Sequence, residues 1–339
     1  MAEQTSSPVF SSSFTERQSP ASTVVVLGTG GTIAGEAASP DDDLGYRAGT
    51  LPVSVLVGAL QLPAAIAVES EQVAQLDSKD MDFATWRALA VAIERHLARA
   101  EVVGIVVTHG SDTLEETAFF LDRVVAPTKP VVLTAAMRPA TSRHADGARN
   151  LRDAGVVAIA AGARGVVAVV AGVIHEARDV RKVHPQRLDA FGSGDAGPLG
   201  HVADGVLAMR RSWPDAVEAA IDVGRLPADD ASWPWVEIVT SDAAADPRAV
   251  PTLVAAGCAG IVVATTGNGT VHRALEAALA DAAARGCTVL RATRCLAGAI
   301  VEPTPAAVGT LPSAGALTPQ QARVELIVRL LAARAAVSR

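Results

Sequence analysis

Aromatic residues are scarce in this 339-residue chain, with four Trp, one Tyr and six Phe, so its core must be mainly aliphatic. Cysteine is scarcer still. Cys258, Cys287 and Cys295 make no C-x-x-C pair and have no histidine at zinc spacing. Three buried, unpaired thiols are therefore expected, with no disulfide framework that demands an oxidising compartment. A basic stripe is also missing: the net charge is −7 with both signs scattered, which argues against a nucleic-acid partner. No apolar run reaches transmembrane length, and no membrane partner is expected. The first 22 residues are rich in Ser, Thr, Pro and Gln and lack the apolar stretch of a signal peptide. They read as a disordered extension, and a cytoplasmic protein is expected unless a natural leader was removed. The seven histidines show no H-E-x-x-H pattern, so neither metal nor other cofactor is expected.

What is present is a chain half hydrophobic, dominated by Ala and Val and long enough for two cores. Val-rich runs at residues 24–27, 102–108, 130–134 and 165–172 are apolar on both faces, as strands covered by helices on two sides should be. Between the first two, residues 84–100 place Trp86, Leu89, Ala90, Ile93 and Leu97 on one helical face. Proline and acidic residues without a period break the pattern over residues 205–234. Strand and helix signals then resume at 236–240, 252–256, 260–265, 271–285 and 287–293, and a long helix starts near Thr318. The fold class expected is α/β, with two domains that each hold a mainly parallel sheet flanked by helices. The expected division is an extension at 1–22, a larger domain at 23–205, a linker at 206–234 and a smaller domain at 235–339.

The first strand runs into "GTGGTIAG" at residues 28–35. A dinucleotide fingerprint would need Gly or Ala where Ile33 stands, and a phosphate-binding loop would need lysine where Glu36 stands. Both phosphate readings fail. The glycines can instead set a hydroxyl at the carboxyl edge of a parallel sheet. Of the two hydroxyls, Thr32 lies further past the strand than Thr29 and is the better placed, with a helix N-cap as its structural alternative. A second hydroxyl loop, "VTHGSDTLEET" at residues 107–117, also leaves a Val-rich strand. The spacing of Asp112 to Glu115 and of Thr113 to Glu116 suits a capping box, which accounts for the glutamates. It leaves Ser111 and Asp112 available, and a carboxylate beside a hydroxyl suits amine binding and activation of a nucleophile.

These two loops resemble the signature motifs of the bacterial L-asparaginase/glutaminase family, in particular its type II-like members. The similarity continues in "SKDM" (78–81), "KPVVLTAAMRPATSRHADGARNL" (129–151), "RDVRK" (178–182), "GNGT" (267–270), "RATRCLAGA" (291–299) and "LTPQQARVEL" (317–326). It covers roughly residues 23–331. The resemblance implies hydrolysis of L-asparagine to L-aspartate and ammonia through an acyl-enzyme, with L-glutamine as a second possible substrate. Thr32 matches the family's nucleophile and Tyr46, the only tyrosine, matches the residue that polarises it from a mobile lid. Ser111, Asp112 and Lys182 match a hydroxyl–carboxylate–lysine trio, with Asp112 also meeting the substrate ammonium. Ser78 matches the serine that grips the α-carboxylate, and Ala136 the residue whose carbonyl accepts from the scissile amide. Asn268 matches an asparagine that reaches a neighbouring subunit's site, which implies a homotetramer. His109 lies within the second motif, where a structural hydrogen bond is expected of it.

Two positions depart from the family pattern. Ser111 replaces a threonine, keeping the hydroxyl without the methyl that restricts χ1. Lys79 stands where Gln or Glu is commoner; a cation there is expected to meet the substrate carboxylate and to favour asparagine over glutamine. Glu302 is the only acidic residue near the turn from which the family sends a carboxylate across the interface, and its role stays unassigned. An amidase domain serving tRNA-dependent amidation would need a further domain. A homologue that binds without turnover would have no use for Thr32, Tyr46, Asp112 and Lys182 together.

Overall fold

The structure, a computed structural model, describes residues 22–302 and 311–337. The expected disordered extension therefore lies, apart from Ser22, outside the described residues. An eight-stranded sheet runs in the spatial order Val206–Met209, Gly200–Ala203, Val173–Glu176, Gly165–Val170, Pro130–Thr134, Val102–Thr108, Ser22–Gly30 and Ile66–Leu76. The last five of these are parallel, and the first three join antiparallel. A three-stranded parallel sheet follows, from Val236–Thr240, Gly260–Thr265 and Thr288–Thr293. The α/β class with a larger and a smaller mainly parallel sheet is thus what the chain adopts.

The first strand shows why its residues belong inside. Val24 to Leu27 are wholly buried, but their side chains part alternately. Val25 and Leu27 join a core with the helices Phe83–Leu97, Leu114–Val124 and Pro319–Val337. Val24 and Val26 join a core on the other face with the helix Gly147–Ala158. The first core runs on into the smaller sheet through Val236, Val262 and Leu290. The helix Pro319–Val337 therefore joins both sheets, and the ion pair of Arg123 with Glu325 (2.8 Å) fixes it to the larger one.

Three sequence expectations change. Val206–Met209 forms the outer strand of the large sheet, although it falls in the stretch expected to be linker. The rest of that stretch is largely exposed but anchored at intervals by buried Ile221, Val223, Leu226 and Trp233. Trp233 stacks on Phe83 with ring centroids 4.5 Å apart, and Arg87 donates to the carbonyl of Leu226. Finally, Cys258 and Cys287 are buried but Cys295 is exposed. It follows the last strand of the small sheet, where no core covers the chain.

The parallel strands follow the doubly wound order in which the first strand lies between the second and the third. The chain leaves Ser22–Gly30 for Ile66–Leu76 on one side, then crosses to Val102–Thr108 on the other. Such a reversal opens a crevice beyond the carboxyl ends of the strands, where ligands bind in open α/β sheets. Four neighbouring strands here deliver their following loops, which start near Thr32, Ser78, Ser111 and Ala136, to that edge.

Trp233→Ala should lower unfolding free energy by about 3–5 kcal/mol, because it removes a large side chain that is 5 % exposed. Urea denaturation followed by far-UV circular dichroism measures this; a loss under about 1 kcal/mol would mean that the 210–234 segment is not part of the core.

Candidate active site

The two hydroxyl loops meet backbone to backbone. Gly31 has φ 79 and ψ −174, a conformation that is essentially reserved for glycine. A Cβ built on Gly31 would lie 2.3 Å from the Cα of Gly110, and one on Gly110 would lie 2.4 Å from the Oγ of Ser78. Glycine at both positions thus lets three loops converge. Their next residues, Thr32 and Ser111, are 7 % and 6 % exposed, and Ser78 is 1 % exposed.

Thr29 is already used, since its hydroxyl donates to the carbonyl of Thr108 at 3.0 Å. Thr32 is the first residue of the turn Thr32–Ala34 and caps nothing, for Gly31 occupies the cap position. Its Oγ1 shares a 2.8 Å hydrogen bond with the Oη of Tyr46. Tyr46 stands on a two-residue strand, Tyr46–Arg47, paired antiparallel with Glu36–Ala37. This small hairpin is latched to residues 138–144: the Oδ1 of Asp43 accepts from Ser142, its Oδ2 pairs with Arg138 at 3.2 Å, and Asp41 pairs with Arg143 at 2.6 Å.

Opposite, the Nζ of Lys182 donates to the Oγ of Ser111 at 2.8 Å and to the Oδ1 of Asp112 at 2.6 Å. An ammonium carries only donors. Ser111 must accept from it, which leaves the serine proton free to point into the crevice. The Oγ of Ser78 likewise accepts, from the backbone N–H of Asp112 at 3.2 Å, while Thr113 donates to the Ser78 carbonyl at 2.8 Å. The capping box is therefore not formed. Thr113 is at the N-cap without a side-chain cap bond, and Glu115 instead accepts from the backbone N–H of Lys182 at 2.5 Å. Burial pushes the Glu115 carboxyl up to about 7.

His109 is fully buried, and its Nδ1 bonds to the Gly110 carbonyl at 2.7 Å. Burial pushes its pKa down to about 4, so a neutral ring holds the loop. Ala136 is buried beyond Pro130–Thr134. Its turn is held by Asp146, which accepts from the N–H groups of Met137 and Arg138, and by Asn150, which donates to the carbonyl of Ala135 and accepts from Ala171.

Two expected residues stand apart from this cluster. Lys79 turns its ammonium to Asp80 (2.5 Å) and Asp77 (3.5 Å), with its side chain 62 % exposed. Here its charge is met by the carboxylates beside it in sequence, whereas Ser78 is buried against Asp112 and Thr113. Asn268 lies on the smaller domain, where its amide donates to the carbonyl of Val301 (2.9 Å) and accepts from that residue's N–H (2.8 Å). The nearby Glu302 pairs with Arg291, which also donates to the Gly269 carbonyl. Glu115, Asp146 and Asn150, which hold the loops of this cluster, escaped sequence reasoning. For Glu115 the cap-like spacing gave a sufficient local explanation, and only the strand 67 residues away supplies the other.

Among the described residues no group of three or more His, Cys, Asp or Glu is arranged to hold a metal ion, and no helix is long and apolar enough to cross a membrane.

Gly31→Ala should part the two loops and lower kcat/KM by roughly 10²-fold, the scale of a misplacement of about 1 Å. Steady-state kinetics beside a thermal melt checks this; unchanged kinetics would show that the close approach does not set the hydroxyl geometry.

Residues 23–214 match the model of the asparaginase N-terminal domain, and residues 235–335 match that of the glutaminase/asparaginase C-terminal domain. The chain is 38% identical over 315 residues to L-asparaginase 2 of Escherichia coli, covering 91% of this chain and 88% of that one. It is 37% identical to a probable periplasmic L-asparaginase of Haemophilus influenzae, covering 91% and 88% of the two chains. A glutaminase-asparaginase of Pseudomonas fluorescens is 35% identical, over 82% of this chain and 77% of that one. The crystal structure of a probable cytoplasmic L-asparaginase from Campylobacter jejuni superposes with a TM-score of 0.84 at 36% identity, covering 91% of this chain and 95% of that one. With both of its domains matched and crevice loops built from the motifs just described, this chain belongs to the asparaginase/glutaminase family.

Proposed function

We propose that this chain is an L-asparagine amidohydrolase that forms L-aspartate and ammonia through an acyl-enzyme on Thr32. The observation that carries the reading is the pairing of each crevice hydroxyl with its own proton partner, Thr32 with Tyr46 and Ser111 with Lys182. Thr32 Oγ1 attacks the side-chain amide carbon while the Tyr46 hydroxyl accepts its proton and passes its own on toward the amide nitrogen. The C–N bond breaks, and ammonia leaves with a proton delivered through the hydroxyls. Water then attacks the ester, releases aspartate and returns the proton to Thr32. The Lys182 ammonium, paired with Asp112, polarises Ser111.

The substrate is held at its two ends. The Ser78 hydroxyl, already an acceptor from Asp112 N–H, has its own proton to give to the α-carboxylate. Asp112 keeps Oδ2 for the α-ammonium after Oδ1 has met Lys182. The Ala136 carbonyl receives the amide N–H. A reading as a glutaminase-asparaginase of broader specificity is favoured by the Pseudomonas relative named for both amides.

Assembly and location belong to the same proposal. Val301, 71 % exposed, is bonded to Asn268, and an exposed apolar side chain beside a residue expected to reach another site supports a homotetramer. The free thiols fit a reducing compartment and support the cytoplasm, although the named relatives include a periplasmic and a cytoplasmic protein.

The test is ammonia release from asparagine and from glutamine. Thr32→Ala should lower kcat for asparagine by roughly 10⁴-fold or more while aspartate still binds. Wild-type protein that binds both amides and turns over neither would favour a binding homologue. Ser111→Thr should retain activity, because the added methyl only narrows χ1; a substantial loss would show that the smaller residue is required. With Lys79 already paired to Asp77 and Asp80, Lys79→Gln should change the asparagine-to-glutamine preference by less than about twofold. A larger change would return Lys79 to the substrate.

A further inference from the structure

Lys182 has little local structure to hold it. It ends a two-residue strand, Arg181–Lys182, whose partner is the equally short Phe191–Gly192. So brief a ladder, continued by the N–H groups of Val183 and His184 to the Ala190 carbonyl, fixes a backbone weakly. The segment is steadied from three sides. The buried Gln321 of the long terminal helix donates to the carbonyls of Arg178 and Val180 at 3.2 Å. The guanidinium of Arg181 donates to the Leu296 carbonyl at 2.8 Å. Only the third contact acts on Lys182 itself: its backbone N–H donates to the Oε2 of Glu115 at 2.5 Å. A carboxylate acceptor makes this a charge-assisted bond, shorter and stronger than one to a neutral carbonyl.

We propose that Glu115 is a positioning residue for Lys182, and that the Glu115 carboxylate must be ionised for the lysine to hold Ser111 in its reactive arrangement. This rests on the amidohydrolase reading for its kinetic consequence, and on geometry alone for the Glu115–Lys182 coupling. Glu115 lies in the first turn of the helix that follows the Ser111–Asp112 loop, so one side chain ties the loop bearing the hydroxyl to the strand bearing the ammonium.

The surroundings decide the sign. Burial raises the Glu115 pKa and Glu116 on its own helix acts in the same direction, while the N–H of Lys182 and the charges of Arg181 and Lys182 lower it; the balance is about 7. Asp112 and His184 face the same cleft of about 540 Å³, and Arg294 and Cys295 of the smaller domain line the adjoining one. Arg323 of the terminal helix acts on Glu116. Above pH 7 the carboxylate accepts from Lys182 N–H and keeps a negative charge beside its ammonium. As pH falls through 7 the group becomes neutral, the bond weakens, and activity declines on the acid side.

The experiment compares kcat and KM from about pH 5.5 to 9 for wild type, Glu115→Gln and His184→Gln. Glutamine preserves an oxygen that accepts from Lys182 N–H but cannot ionise. Its kcat at pH 8 should fall about tenfold, the difference between a charge-assisted and a neutral hydrogen bond, with KM and thermal midpoint near wild type. The acid limb near 7 should vanish in Glu115→Gln and persist in His184→Gln. A second readout needs no turnover. The chain has only three lysines, Lys79, Lys129 and Lys182, so protein labelled with ¹³C-lysine resolves Lys182, assigned by its loss in Lys182→Arg. Its ε-carbon signal should shift through about pH 7 in wild type and not in Glu115→Gln. A limb retained by Glu115→Gln, a limb lost in His184→Gln instead, or a Lys182 signal indifferent to pH here would each overturn the proposal. Absence of turnover in wild type would overturn the amidohydrolase reading and leave the lysine signal to decide the coupling.

Discussion

A contact between two backbones, at Gly31 and Gly110, sets the separation of the Thr32 and Ser111 hydroxyls. The strands Ser22–Gly30 and Val102–Thr108 are hydrogen-bonded neighbours, so the loops that leave them start only one strand spacing apart. Any Cβ at Gly31 would collide with Gly110, and the loops would have to splay. With both side chains reduced to hydrogen, Thr32 and Ser111 emerge on the two sides of one contact. The rest of the site is arranged around that contact: the hairpin carrying Tyr46 closes on Thr32, and the segment carrying Lys182 closes on Ser111.

The smaller domain takes part in this arrangement without supplying a hydroxyl. The helix Pro319–Val337 belongs to it in sequence, yet shares the core of the larger sheet. Gln321 holds the strand before Lys182, Glu325 pairs with Arg123, and Arg323 donates to the Val236 carbonyl. A buried glutamine with both carbonyl partners in place is a satisfied polar contact in an apolar layer, and it specifies one seating of the helix rather than many. The position of the Lys182 ammonium therefore depends on the first turns of this helix being docked.

How much of this was legible depended on whether the determining contact was local. Val24 to Leu27 could be assigned because being apolar on both faces admits few structures besides a strand between two helical layers. Thr32 emerged by elimination, since Ile33 and Glu36 exclude phosphate chemistry. The edge strand Ile66–Leu76 gave no such signal. Its residues are mostly exposed, and Glu69 and Glu71 pair with Arg99 and Arg95 along the rim, where charge guards an edge against further pairing. The short antiparallel return through Val173–Glu176, Gly200–Ala203 and Val206–Met209 was hidden for want of length. Glu115 and Lys79 show opposite relations between sequence and structure. Glu115 had a sufficient local role and a distant actual partner, whereas Lys79 had an expected distant role and found partners one and two residues away.

The hairpin that closes on Thr32 also gives the chain an unusual optical property. Tyr46 is its only tyrosine, and its hydroxyl is bonded to the Thr32 hydroxyl. In most proteins phenol absorption averages over many rings in unrelated surroundings. Here the whole tyrosinate band, as it appears in alkaline solution, arises from one oxygen at the centre of the crevice. A bulk ultraviolet titration thus becomes a single-site recording of whether that oxygen is held or released, with no label attached.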